Sequence, residues 1–227
     1  MDRAVIFDLD ETLFDRRGSL RLFLADQFNR LVPELFDNAE ASIQSFLKLD
    51  NRGLTPKLGV YKTVLAQAGH DDDALAQNLF ADYEASAWRF ARAFAGMADM
   101  FAELSALGIK TGIVSNRQTH IQLRSLLALN LDRLVDVYLI SENEDLRKPD
   151  PEIFQRAACK LAVAPAHCIF VGDSPTADMV GASGVGMKTI WFPNGAIWPA
   201  DLALKPDAVV HSLPQVGYVV RHWVSNL

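Results

Sequence analysis

Ala4-Val5-Ile6-Phe7-Asp8-Leu9-Asp10-Glu11-Thr12-Leu13 is the stretch on which the fold turns. Four apolar residues run without alternation and stop in acids. A strand that is apolar on both faces is buried on both, as in a parallel sheet covered by helices. Successive strand residues point to opposite faces, so Asp8 and Asp10, two apart, share a side at the strand's carboxyl end. Carboxylates that close repel each other, and a hard cation such as Mg²⁺ relieves the repulsion.

Three further apolar runs end in the same way. Ile113-Val114 leads into Ser115-Asn116, Val137-Tyr138-Leu139-Ile140 into Ser141-Glu142, and Cys168-Ile169-Phe170-Val171 into Gly172-Asp173-Ser174. Residues 118–129 and 151–161 lie between them and carry helical patterns, and more strands are expected over 188–192 and near 207–210. Alternation of this kind predicts an α/β fold with a doubly wound, Rossmann-like parallel sheet. Ligands in such sheets gather beyond the carboxyl ends of the strands, where these polar groups sit. Residues 14–94 break the alternation with helical patterns over 20–31, 38–49, 58–68 and 72–92. That is too long for a crossover connection. An inserted all-helical domain over 15–94 is expected, with 1–14 and 95–227 forming the core.

Composition narrows the function. Half of the 227 residues are hydrophobic, enough for a sizeable core, and 22 basic against 28 acidic residues leave a net charge of −6. That balance disfavours wrapping a nucleic-acid polymer while leaving room for a local basic pocket. The apolar run after Met1-Asp2-Arg3 is too short for a signal peptide, and no segment is long enough to span a bilayer. Cys159 and Cys168 support neither a disulfide scaffold nor a cysteine zinc site. A cytoplasmic protein is expected, without a membrane partner, as a monomer or homodimer.

The remaining polar positions are bland one at a time. In Gly172-Asp173-Ser174-Pro175-Thr176-Ala177-Asp178, Ser174 or Thr176 could cap a helix and Asp178 could be a favourable charge in its first turn. Ser115 alone reads as a turn residue. Lys148, in Arg147-Lys148-Pro149-Asp150-Pro151, reads as a loop charge before a helix that Pro151 starts well. Taken together and in order, these positions resemble the four motifs of the haloacid dehalogenase (HAD) superfamily. Residues 14–94 resemble the helical cap inserted after the first strand in that superfamily's first cap class. The resemblance spans nearly the whole chain and is nearest to small-metabolite phosphatases, including 5′-nucleotidase-like and phosphoglycolate-phosphatase-like members.

The resemblance implies a set of roles. Asp8 would be the nucleophile that forms an aspartyl-phosphate. Asp10 would protonate the leaving oxygen and later activate water. Ser115 and Asn116 would meet the phosphoryl group, and Lys148 would hold both Asp8 and that group. Mg²⁺ would be bound by Asp8, the backbone carbonyl of Asp10 and Asp173, with Asp178 orienting these ligands. The substrate would be a small phosphorylated metabolite, such as a nucleoside monophosphate, phosphoglycolate or a sugar phosphate. Arg17, Lys48, Arg52 and Lys57 are candidates for a second anionic group on it. Haloacid dehalogenases of the superfamily lack an acid at the position of Asp10, which favours phosphate-ester hydrolysis here. The rivals are a phosphomutase of the same superfamily and, further off, a dehalogenase or a receiver-like signalling module.

Overall fold

The structure is a computed structural model and describes residues 2–35 and 38–225. In chain order it contains β1 (Ala4–Phe7), α1 (Arg16–Leu31), α2 (Ala39–Leu49), α3 (Lys57–Gln67), α4 (Asp73–Ser86) and α5 (Met97–Ala106). There follow β2 (Lys110–Ser115), α6 (Thr119–Ala128), β3 (Val137–Ile140), α7 (Ser141–Glu144) and α8 (Pro151–Lys160). The chain closes with β4 (Cys168–Gly172), α9 (Val180–Gly184), β5 (Lys188–Trp191), β6 (Ala208–Val209) and α10 (Leu213–Ser225). It forms two compact units, one made of the chain up to Asp15 and from Ala93 onward, the other of Arg16–Arg92.

The first unit is built on a sheet that, among the described residues, has six strands in the order β3-β2-β1-β4-β5-β6. Every pairing is parallel, so the doubly wound sheet expected from the run-and-stop pattern is the one formed. β1 lies at its centre, with Phe7 opposite Ile113 of β2 and Val171 of β4. Alternation then divides the strand. Ala4 and Ile6 belong to a cluster with Ile153, Phe154, Ala157 and Phe170, while the Phe7 ring meets Phe101 of α5 at 5.4 Å between centroids.

Helix α8 shows how the sequence makes these elements. The Asp150 side chain accepts from the Glu152 N–H at 2.9 Å, and Pro151 occupies the first turn, where no donor is needed. Ile153, Phe154, Ala157 and Ala158 are its buried face, spaced as one side of a helix demands. The Phe154 ring stands edge-on to Phe170 at 5.0 Å, and burying it contributes about 2–3 kcal/mol. The seat depends on Gly181, where an added Cβ would come within 2.3 Å of that ring.

The second unit is all helical among its described residues. Phe23, Leu24, Phe46, Tyr61 and Leu65 form its core, and Asn38 and Asp72 cap α2 and α4 by accepting from Ala41 and Leu75 N–H at 3.0 Å each. One difference from the sequence reading concerns the expected helix over 72–92. α4 ends at Ser86 and a 3₁₀ turn covers Ala87–Phe90. The Trp88 indole N–H takes the Ala85 carbonyl at 2.9 Å, a side-chain bond that supports the tighter turn. Among the described residues, no helix is long and apolar enough to cross a membrane.

Candidate active site

The carboxyl edge of the sheet collects the polar groups. Asp8, one residue past β1, is anchored by its N–H to the Val171 carbonyl at 2.8 Å. The chain then folds back on itself. The Leu9 carbonyl accepts from Leu13 at 3.0 Å and Phe14 at 2.9 Å, and Glu11 adopts φ 62° to let it turn. This keeps Asp8 and Asp10 at the sheet edge rather than in a departing loop.

Lys148 comes from the loop before α8 and is buried, at 3% exposure. Its ammonium donates to Asp8 Oδ1 at 2.6 Å and pairs with Asp178 Oδ1 at 2.7 Å, 5.4 Å from the centre of the Phe170 ring. Burial pulls the ammonium pKa down, but Asp178 and Asp8 more than offset it and hold it above the usual lysine range. Burial pushes the Asp8 carboxyl up to about 7; Lys148 opposes this, while Asp178 and Asp10 add to it. With one ammonium facing a group of carboxylates, Asp8 is held back from ionising.

Asp173 and Asp178 follow β4. Ser174 is the cap, its hydroxyl accepting from Ala177 N–H at 3.1 Å, and Ser174 N–H donates to Asp178 Oδ2 at 2.9 Å. The Trp191 indole N–H holds the Asp173 carbonyl at 2.9 Å. Gly172 makes the approach possible, because a Cβ there would stand 2.3 Å from Asp178 Oδ2. With Asp178 pinned at both oxygens, Gly172→Ala should cost about 1–3 kcal/mol. Thermal melts check this, and an unchanged melting temperature would show that the carboxylate moves freely.

Ser115, the last residue of β2, is buried. Its Oγ lies 2.5 Å from Gln122 Nε2, which is also 3.3 Å from Asp10 Oδ2. Arg117 Nε reaches the same Asp10 oxygen at 2.5 Å. Asp10 Oδ1 is buried with no hydrogen-bond partner among the described residues. Gln122 and Arg117 were not singled out from the sequence. The available signal was weak: Gln122 lies four residues before Leu126 on the buried side of α6.

The other expected residues fall in two places. The Asn116 amide closes a ring with the Lys148 backbone, donating to its carbonyl and accepting from its N–H at 2.8 Å each, so that side chain holds the lysine loop. Arg17, Lys48, Arg52 and Lys57 belong to the helical unit. The first three are exposed. The ammonium of Lys57 is bonded to Asp50, which also takes both terminal nitrogens of Arg16 at 2.8 and 3.1 Å. Burial raises the Asp50 carboxyl, yet Arg16 and Lys57 outweigh it and hold it below the usual range.

Asp8, Asp173 and Asp178 each offer a carboxylate oxygen, all within 4.8 Å of one another. An all-oxygen anionic donor set on a rigid sheet edge fits a hard cation of the size of Mg²⁺. Asp178 thus stands as close to the other two carboxylates as a ligand would, in addition to its bond with Lys148.

Known proteins resemble this chain over most of its length. The glyceraldehyde 3-phosphate phosphatase of Pyrococcus furiosus is 29% identical over 225 residues, covering 96% of this chain and 93% of that protein. Among solved structures, a HAD family hydrolase from Deinococcus radiodurans with bound phosphate and sodium superposes with a TM-score of 0.72 at 19% identity, covering 97% of this chain and 96% of that one. A 2-haloacid dehalogenase from Pseudomonas syringae gives 0.62 at 26% identity, covering 98% and 100%. The sequence pattern of the haloacid dehalogenase-like hydrolases matches residues 5–192, and the chain belongs to that family.

Proposed function

We propose that the protein is a Mg²⁺-dependent phosphatase that hydrolyses a small phosphate monoester through an aspartyl-phosphate on Asp8. The observation that carries this reading is Lys148 bound to Asp8 at 2.6 Å beside the three-carboxylate group, with a second acid, Asp10, two residues on. Asp8 attacks phosphorus as the bond to the leaving oxygen breaks, and Asp10 passes its proton to that oxygen. Asp10 then takes a proton from the water that attacks the phosphorus, and the Asp8 carboxylate departs. Ser115 and Lys148 hold phosphoryl oxygens through both steps. Mg²⁺, held by Asp8, Asp173 and the Asp10 carbonyl or Asp178, would offset charge between the nucleophile and the phosphoryl oxygens. The helical unit is proposed as a substrate-selecting cap, and the setting as cytoplasmic.

Asp10 separates this reading from dehalogenation, since a departing halide needs no proton. A triose phosphate leads the substrate candidates because the Pyrococcus relative, matched along nearly its full length, is a glyceraldehyde 3-phosphate phosphatase; nucleoside monophosphates, phosphoglycolate and sugar phosphates follow. The test is phosphate release from such a panel, with 2-chloropropionate as the dehalogenase arm. Release that chelation abolishes and Mg²⁺ restores is expected. Halide release without phosphate release would overturn the reading, and a requirement for a sugar bisphosphate would mark a mutase.

A further inference from the structure

Gln122 is 1% exposed and its amide faces two acceptors. The carboxylate oxygen Oδ2 of Asp10 can only accept when ionised, so the Gln122 nitrogen, not its oxygen, must face it. The same nitrogen lies 2.5 Å from Ser115 Oγ. An NH₂ group has hydrogens and no acceptor, so the Ser115 oxygen must accept, and its own hydrogen is turned away to donate elsewhere. Arg117 supplies a second donor to Asp10 Oδ2 at 2.5 Å. That oxygen therefore has two donors, while Oδ1 is buried with none. A proton on Oδ2 would collide with those donors; a proton on Oδ1 meets nothing.

We infer that Gln122 is a positioning residue that fixes proton direction in the site: it makes Ser115 a donor and, with Arg117, reserves Asp10 Oδ1 as the oxygen through which the proton passes. This rests on the phosphatase reading for the identity of the steps. Asp10 accepts at Oδ2 throughout and gives or takes its proton at Oδ1, to the leaving oxygen or from the water, so neither donor has to move during turnover.

The experiment compares Gln122→Leu, which removes the donor, with Gln122→Glu, which keeps the shape and replaces the donor with an acceptor. Two substrates separate the two effects. An alkyl phosphate monoester needs its leaving oxygen protonated, and p-nitrophenyl phosphate scarcely does. Gln122→Leu should lower kcat on the alkyl ester about tenfold and on the aryl ester by less than about threefold. Gln122→Glu should be worse on the alkyl ester, by about 100-fold or more, because Ser115 then donates to the glutamate and a like charge faces Asp10. Calorimetry with inorganic phosphate reads the Ser115 effect without turnover, and Gln122→Leu should weaken it about fivefold. Equal losses on both esters that track a fall in melting temperature, or Gln122→Glu milder than Gln122→Leu, would reduce Gln122 to a filler. If wild-type protein releases no phosphate at all, the phosphatase reading fails by itself, and phosphate affinity within twofold of wild type in Gln122→Leu overturns the inference separately.

Discussion

Lys148→Met should unfold at markedly lower denaturant than the wild type and lose most of its turnover. Methionine keeps an unbranched apolar side chain and removes the ammonium, which lies 5.4 Å from the centre of the Phe170 ring. What remains is Asp8, 6% exposed, and Asp178, 1% exposed, facing each other with no cation between them. Removing one partner of a buried ion pair typically costs about 3–5 kcal/mol, because the surviving charge stays buried. Asp8, raised to about 7 even beside the ammonium, is pushed higher without it and takes up a proton, so Asp178 is the charge left buried and the lower part of that range is expected in EDTA at pH 8. Mg²⁺ should return part of the stability by sitting among the same oxygens, and the difference between variant and wild type should narrow as it is added. Turnover should not follow, because the ammonium proposed to hold the transferring group is gone, a loss of about 10²–10³-fold in kcat. Urea titrations in EDTA and in Mg²⁺ decide the matter. A variant within about 1 kcal/mol of wild type in EDTA at pH 8 would mean that the two ion pairs of Lys148 count for little in the stability of the fold.

What could be read from the chain follows from which physical signals are local. β1 was legible because four apolar residues ending in Asp8 are hard to place anywhere but inside a covered sheet. Its neighbours β2 and β4 carry the same signature, as does β3 beyond β2, and β2 and β4 end beside Ser115 and Asp173 at the sheet's carboxyl edge. Ser115, Lys148 and Asp173 were legible as a set because each follows or precedes an element whose start and stop signals are strong, such as Asp150-Pro151 before α8. Gln122 and Arg117 were not. A glutamine on a short helix and an arginine in a loop look solvated unless the partner is known, and their partner is Asp10, more than a hundred residues earlier. Asn116 shows the same limit in reverse. Its neighbour Ser115 suggested a ligand contact, while its amide is paired with the backbone of Lys148, 32 residues on. Lys57 looked like one of a run of surface cations, and only the tertiary fold brings it together with Arg16 on the buried Asp50. At the end of α4 the Trp88 indole N–H takes the Ala85 carbonyl, a side-chain bond that the helical pattern over 72–92 does not announce.

Asp8→Asn should do the opposite of Lys148→Met to the metal-free fold while abolishing activity. Burial pushes the Asp8 carboxyl from an ordinary 3.8 up to about 7, so the folded protein binds a proton there that the unfolded chain has released. Stability from this group is present below about pH 4 and is lost as pH rises toward 7. One pKa unit corresponds to about 1.4 kcal/mol, and with solvent relaxation about 1 kcal/mol per pH unit is a fair upper expectation in that window. Asparagine has no proton to lose and no charge to set against Asp178 and Asp10, while Lys148 keeps its pair with Asp178 at 2.7 Å. In EDTA at pH 8 the variant should therefore be more stable than wild type by about 2 kcal/mol, with a flatter dependence on pH. Added Mg²⁺ should reverse the order, since wild type gains a ligand the variant has lost. Turnover should fall by at least about 10³-fold, the scale on which removing a nucleophile acts. Parallel melting curves for the two proteins from pH 5 to 8 in EDTA would show that Asp8 is already ionised and paired in the empty site. The repulsion among carboxylates, and with it the physical case for a cation at this sheet edge, would then be gone.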